Sequence, residues 1–304
     1  MKQIVVISGK GGTGKTTIVA SLAALAKNAV VADCDVDAPD LHLILKPEIK
    51  ETHEFKGSKT AVKDDSKCIY CGKCKEVCRF DAVNENFEID YTLCEGCGAC
   101  VFVCPADALK LEEKISGYAY ISQTRYGPMS HAKLNIGEEA SGKLVVVVKE
   151  NAKRIAETEG RNLILIDGSP GIGCPVIASL SGADLALIVT EPTMSGIHDL
   201  KRILSVAKHF NVTSVVCINK YDINSGNSNK IMDFCRNAGI EAVGKIPFNP
   251  VVTGAMVAGK SVVEFSDDEV SNEIKSMWDK IKTLICNDIK CRTEKDAEGE
   301  DQGA

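Results

Sequence analysis

No apolar run in this 304-residue chain approaches the roughly 18–20 residues needed to span a bilayer. There is no excess of positive charge either. The formal net charge is −6, so nothing in the composition calls for a nucleic-acid partner. The opening stretch MKQIVVISGK runs straight into a strand-like segment and carries no secretory cleavage pattern. Apolar residues at 44% and charged residues at 26% match an ordinary globular protein and exclude collagen-like or wholly disordered chains. Histidine is sparse, and His42, His131 and His198 stand isolated, so none is assigned a ligand role. These absences lead to the expectation of a cytoplasmic protein of about two domains.

Cysteine, by contrast, is abundant. Of 14 cysteines, eight fall between Cys68 and Cys104, and Cys34, Cys174, Cys217, Cys235, Cys286 and Cys291 are scattered. A disulfide framework needs an oxidising compartment and typifies small domains without a core. This chain is large, lacks an export signal and spaces its clustered cysteines like metal ligands. The eight therefore read as ligands in a reducing environment.

Gln3–Ser8 is a continuous, β-branched apolar run, as expected of a strand buried on both faces. A Gly-rich turn over Gly9–Gly14 follows. Lys15–Lys27 then carries Ile18, Leu22 and Leu25 at helical spacing, and Ala29–Ala32 is a second short strand ending at Asp33. Such a β–loop–α–β unit implies a parallel sheet. Residues 46–67 are polar and charged and lead into the cysteine block, which ends near Leu111. Beyond it, Leu144–Val148, Leu163–Ile166, Leu185–Thr190, Ser214–Asn219 and Ala242–Ile246 read as apolar strands. Asn151–Glu159, Ile197–His209 and Lys230–Asn237 read as helices, and Ser271–Ile289 as a final one. One α/β domain is thus expected over 1–58 and 115–290. It is split by a metal-stapled insert over 59–114 and followed by an acidic, disordered tail over 291–304.

Gly9-Lys10-Gly11-Gly12-Thr13-Gly14-Lys15-Thr16 fits G-x-x-x-x-G-K-[ST] between a strand and a helix, the context of a phosphate-binding P-loop. Backbone N–H groups of Gly11, Gly12, Thr13 and Gly14 and the helix N-terminus favour phosphate. Lys15 is expected on the β- and γ-phosphates, and the Thr16 hydroxyl on Mg²⁺. The form Lys10-Gly11-Gly12-Thr13-Gly14-Lys15-Thr16-Thr17 resembles the deviant Walker A motif of the MinD/ParA/Mrp ATPases, a family that includes the nitrogenase iron protein and arsenite-pump ATPases.

The resemblance implies a doubly wound, mostly parallel P-loop sheet and a nucleotide-sandwich dimer. Lys10 would act as a second, "signature" lysine that crosses to the partner's nucleotide. Asp33-Cys34-Asp35-Val36-Asp37 resembles the family's switch I, which implies that Asp35 orients the attacking water, with Asp33 and Asp37 as close rivals. Leu163–Gly171 resembles Walker B plus switch II, which implies that Asp167 holds Mg²⁺ through water. Asn219, ending a later strand, resembles the family's adenine-reading position, and Ile246-Pro247-Phe248 the loop beside the base. ATP and Mg²⁺ follow as cofactors, with Thr17 and Pro247 among the contacts.

Cys68-x₂-Cys71-x₂-Cys74-x₃-Cys78 is followed by Cys94-x₂-Cys97-x₂-Cys100-x₃-Cys104-Pro105, the spacing of bacterial two-cluster ferredoxins. In that pattern three thiolates of each [4Fe–4S] cluster come from one loop and the fourth from the other half. The expected sets are Cys68, Cys71, Cys74 and Cys104, and Cys94, Cys97, Cys100 and Cys78. Gly72, Gly96 and Gly98 permit tight turns around the clusters. Arg79 stands where the pattern has Pro. Zinc also takes four-cysteine sets and is the rival occupant.

Cys174, just after switch II, is a candidate at the dimer interface beside the plainer reading of a loop thiol. Cys217 and Cys235 read as core packing. Ser271–Ile289 has mixed charge and an acidic successor, unlike a membrane-targeting amphipathic helix. Together these features lead to an ATPase with an inserted ferredoxin-like α+β domain. It is expected to couple an ATP-dependent homodimer, or a heterodimer with a paralogue, to electron transfer to an unknown partner. An iron–sulfur carrier or assembly ATPase, and a positioning ATPase with a redox-sensing insert, stand as alternatives. Neither nucleic acid nor membrane is expected as a partner.

Overall fold

The computed structural model describes residues 1–138 and 140–299, with side chains given up to residue 286. The acidic tail expected over 291–304 and Cys291 therefore fall outside the residues whose side chains are described.

The chain opens with β1 (Lys2–Ser8), α1 (Lys15–Leu25), β2 (Ala29–Asp33) and α2 (Leu41–Leu45). Next come β3 (Glu48–Phe55) and β4 (Ser58–Lys63). The cysteine block holds only short helices, α3 (Lys73–Val77) and α4 (Ala99–Phe102), before β5 (Leu109–Lys114). β6 (Gly117–Thr124) and β7 (Gly127–Leu134) form a hairpin, followed by α5 (Ser141–Thr158), β8 (Leu163–Pro170) and α6 (Cys174–Leu180). Then follow β9 (Leu185–Thr190), α7 (Met194–His209), β10 (Thr213–Asn219), α8 (Ser225–Asn237) and β11 (Glu241–Ile246). The last helices are α9 (Val251–Ala258), α10 (Val262–Phe265) and α11 (Glu269–Gly299).

Among the described residues, nine strands form one sheet in the order β11-β10-β9-β1-β8-β2-β7-β6-β3. It is parallel from β11 to β7, and β6 and β3 extend it antiparallel. Strand alternation sends side chains into two cores. Val5 and Ile7 of β1 join the core under α5, α6, α7 and α8, whereas Ile4 and Val6 join the one under α1 and α11. Burying each such residue contributes roughly 1.5–3 kcal/mol. Both faces are covered, which is why the central strands read as unbroken apolar runs.

Leu144–Val148, expected as a strand, lies instead inside α5. Its β-branched composition favours a strand only weakly, and tertiary packing overrides it. Leu144, Val145, Val148, Ala152, Ile155 and Ala156 are buried at helical spacing, while Val146 is 44% exposed. No sequence pattern marks the strands β3 to β7. Every residue of β3 from Glu48 to Glu54 is exposed, so this edge strand carries no apolar signal, and its charges guard a free edge.

The cysteine block stands on its own two-stranded sheet. β4 and β5 pair antiparallel from Ser58–Lys114 to Lys63–Leu109, so the segment leaves and rejoins the main sheet at one place. No helix among the described residues is long and apolar enough to cross a membrane.

Candidate functional site

The turn after β1 lies at the carboxyl end of a central parallel strand, where α/β sheets bind ligands. Gly14, just before α1, has φ 91°, and a Cβ there would strike the amide of Asn219. Gly12 also has positive φ, and nothing lies within 4 Å of where its Cβ would be, so the loop faces open space. That space is a cleft of about 630 Å³. Of the expected nucleotide-site residues, Gly11, Gly12, Gly14, Lys15, Thr16, Thr17, Asp35, Asn219 and Pro247 all line it. Thr13 is buried behind the loop with its hydroxyl unpartnered. Lys10 does not line the cleft.

The acidic residues separate by position. Asp33 and Asp167 are register partners on adjacent strands and are both 1% exposed. Burial pushes both carboxyls well up, and Asp167 adds its charge at Asp33. The Lys15 ammonium and the nearby Thr16 hydroxyl pull Asp167 partly back. Neither oxygen of Asp167, nor Oδ2 of Asp33, has a hydrogen-bond partner. Buried carboxylate oxygens left unpaired beside Thr16 and Lys15 suit a hard divalent cation, and in this respect Thr16 and Asp167 fit Mg²⁺. Asp35 is half-buried on the cleft wall. Burial raises its pKa to about 6 against the pull of Lys15. Of the three switch I aspartates it alone lines the cleft, since Asp33 is buried and Asp37 is exposed.

Two residues that sequence reasoning passed over organise the loop. Glu191, just past the end of β9, places Oε2 3.3 Å from Lys10 Nζ and Oε1 2.5 Å from Lys220 Nζ. Burial pushes Glu191 up, but Lys220 and Lys10 outweigh it and hold the carboxyl below its ordinary range. Lys10 Nζ also lies 3.3 Å from each of the Thr193 and Ser195 hydroxyls. Lys220 Nζ donates to Gly12 O at 3.3 Å, and Asn219 Nδ2 donates to Thr13 O at 2.8 Å. Asn219 Oδ1 accepts from Lys220 N at 3.0 Å, which orients the amide whose Nδ2 end holds the P-loop. Asp222 accepts from Phe248 N at 2.7 Å and sets the Pro247–Phe248 wall of the cleft. The available signal was positional, because Glu191 and Lys220 each directly follow the carboxyl end of a parallel strand.

The eight clustered cysteines are free thiols, exposed at Cys71 and Cys97 and half-buried elsewhere. They line two small cavities of about 20 Å³ each. Cys68, Cys71, Cys74 and Cys104 line one, and Cys78, Cys94, Cys97 and Cys100 line the other. Ala61 N donates to Cys94 Sγ at 3.5 Å, and Ala108 N to Cys104 Sγ at 3.4 Å. Gly72, Gly96 and Gly98 have φ of 80°, 61° and 77°, and a Cβ on Gly96 would strike the Lys59 carbonyl. Among the described residues, no three His, Cys, Asp or Glu side chains gather closely enough to hold a single metal ion. Each cavity is lined by four thiols, and thiolate is the donor chemistry that an iron–sulfur cluster takes.

The remaining cysteines differ. Cys34, Cys217 and Cys235 are buried, and burial pushes Cys217 up to about 12 and Cys235 up to about 11, which suits packing thiols. Cys174 is exposed at the start of α6. His131 is buried with Nε2 2.8 Å from Ser122 Oγ, and burial depresses it to about 4.

Residues 4–262 match the CobQ/CobB/MinD/ParA nucleotide-binding domain family, and the chain belongs to that family. An uncharacterized protein of Methanocaldococcus jannaschii is 39% identical over 93% of this chain and 97% of its own length. A second uncharacterized protein of that organism is 28% identical over 90% of this chain and 98% of its own. Among solved structures, the cell division ATPase MinD of Pyrococcus furiosus aligns with a TM-score of 0.57 at 17% identity, covering 93% of this chain and 99% of that one. The septum site-determining protein MinD of Pyrococcus horikoshii, complexed with Mg-ADP, gives 0.57 at 16% identity, covering 93% and 97%. At such identities the likeness is one of fold: a mostly parallel α/β P-loop sheet.

Proposed function

We propose that the chain binds and hydrolyses ATP with Mg²⁺ and carries two [4Fe–4S] clusters in an inserted ferredoxin-like domain over 59–114. In this reading it uses nucleotide-driven dimerisation to gate electron transfer to a partner protein. The observation that carries the reading is the presence of two four-thiol cavities and a P-loop cleft in one chain. Each cluster, when bound, supplies one-electron redox chemistry.

In this reading Gly11, Gly12, Thr13 and Gly14 bind phosphate through their backbones, and Lys15 neutralises the β- and γ-phosphates. Thr16 and Asp167 hold Mg²⁺. Asp35 is the carboxylate placed to orient water in line with the γ-phosphate. Lys10 of each subunit reaches the nucleotide of the other, and Pro247 and Asn219 sit by the base. The partner subunit is a second copy or a paralogue.

The test is anaerobic purification followed by metal analysis and an ultraviolet–visible spectrum. About eight irons per chain with broad visible absorbance are expected for two cubanes. About two zinc per chain with no visible band would overturn the cluster assignment. Exposure of Cys71 and Cys97 favours a second reading, an iron–sulfur carrier. A carrier would lose at least one cluster to an apo-protein acceptor, whereas an electron-transfer protein would retain both.

A further inference from the structure

The cysteine insert is fastened to the nucleotide-binding domain asymmetrically. Glu138, whose side chain is only 5% exposed, lies between β7 and α5. Its carboxylate accepts from Ser58 Oγ at 2.8 Å and pairs with Lys114 Nζ at 2.5 Å. Ser58 and Lys114 are the paired end residues of the insert's sheet, so Glu138 grips its base. Lys143, in the first turn of α5, donates to Gly57 O at 3.1 Å.

The two cavities lie at different distances along the chain from this grip. Ala61, whose N–H meets Cys94 Sγ, is three residues from Ser58. Lys114 Nζ also donates to Tyr91 O at 2.8 Å, three residues before Cys94. A cleft at the junction is lined by Cys94 and Glu95 on one side and by Glu138, Ala140 and Lys143 on the other. The other cavity is lined from the far end of the same sheet, by Lys63 and Leu109, and there Ala108 N meets Cys104 Sγ.

α5 is also fixed to the element that follows switch II. Cys174 opens α6 directly after Gly168–Gly173, and a Cβ on Gly142 would lie 3.1 Å from Cys174 Cβ. Lys149 Nζ donates to Ala178 O at 3.1 Å, Ser179 O at 2.8 Å and Ser181 O at 2.5 Å, which secures the carboxyl end of α6. α5 and α6 are thus joined at both ends of α6, and the first turn of α5 holds the insert.

The geometry points to α5, with Glu138 and Lys143 as positioning residues, as the link by which nucleotide state tunes the Cys78/Cys94/Cys97/Cys100 centre and not the other. This inference rests on the cluster reading of the preceding subsection. Its physical basis is that N–H···S hydrogen bonds help set a cluster's potential, and that Ala61 N–H stands at the end of this link. The two-state element is switch II, which a γ-phosphate contact orders.

The test is redox titration of the anaerobic protein, following the two clusters by electron paramagnetic resonance, with ADP and then with a non-hydrolysable ATP analogue. At one fixed solution potential, the reduced-to-oxidised ratio of one cluster should change about fivefold or more, and that of the other should stay constant. Cysteine-to-serine replacement at Cys97 or Cys71 assigns which cluster is which. Glu138→Gln and, independently, Lys143→Ala should reduce the nucleotide-dependent change while leaving ADP binding intact. Lys143 is exposed, so its variant serves even if Glu138→Gln fails to load iron. Two clusters that both hold still, or that shift together, overturn the inference alone. A protein without clusters overturns the preceding reading and this one with it.

Discussion

Lys10 Nζ stands 3.3 Å from Glu191 Oε2 within the same chain, while the other oxygen of that carboxylate binds Lys220. The lysine that the family resemblance sends across a dimer interface is thus held at home by one carboxylate and two hydroxyls. Partly exposed ion pairs are worth up to about 1 kcal/mol, so the hold is breakable. Glu191→Gln should strengthen ATP-dependent dimerisation by up to about fivefold, and Lys10→Ala should weaken it. Light scattering with ATP checks both. A weaker dimer in Glu191→Gln would show that the pair supports the active state rather than the resting one.

The phosphate cleft and the thiol cavities have no residue in common. Lys15→Ala should therefore abolish ATP binding, measured by calorimetry, and leave iron content and spectrum at the wild-type level. Loss of iron in this variant would mean that the two sites depend on each other for folding.

The stretch Leu144–Val148 shows where the sequence was readable and where it was not. The strand, loop and helix of the phosphate site were legible because their chemistry fixes residue type and spacing at short range. The run of leucine and valines was not, because β-branched residues are common to buried strands and to one face of a packed helix. Length settles such a case only when the flanks are unambiguous. The edge strand β3 was invisible for the opposite reason, since every residue from Glu48 to Glu54 is exposed and only Phe55 is half-buried. Glu191 acts through partners far away in sequence, which no local pattern records.

The helical assignment has its own test. Val146 is 44% exposed on α5, and alanine is the better helix former by about 0.5 kcal/mol. Val146→Ala should leave stability unchanged or raise it slightly in urea denaturation. Leu144→Ala, at a fully buried position, should cost about 2–5 kcal/mol. A clear loss of stability in Val146→Ala would argue against a helix there.

His131 gives a pH signature. Burial holds it at about 4 against an ordinary value of 6.5, so in the folded protein it stays neutral where an unfolded chain takes up a proton. Its contribution is fully present above about pH 6.5 and is lost as pH falls toward 4, at most about 3 kcal/mol in all. The raised carboxyls of Asp33 and Asp167 work in the opposite sense, since their protonation favours the folded state as pH falls. The informative quantity is therefore the difference between wild type and His131→Gln. That difference should vary between pH 6.5 and 4 and level off outside this window, as read from urea midpoints at each pH.

The pairing of Ser58 with Lys114 has a further consequence for how such a protein can be built and rebuilt. From the side of the nucleotide-binding sheet, the two ends of the insert are neighbours, so the whole cysteine block closes no larger a gap than a hairpin turn. Loop-closure entropy depends on that gap and rises only slowly with the length of chain inside it. The position is therefore a graft point. Joining Gly57 to Ile115 through a short Gly-Ser turn should leave the nucleotide half foldable, and a foreign module whose ends lie one strand spacing apart could be seated there in its place.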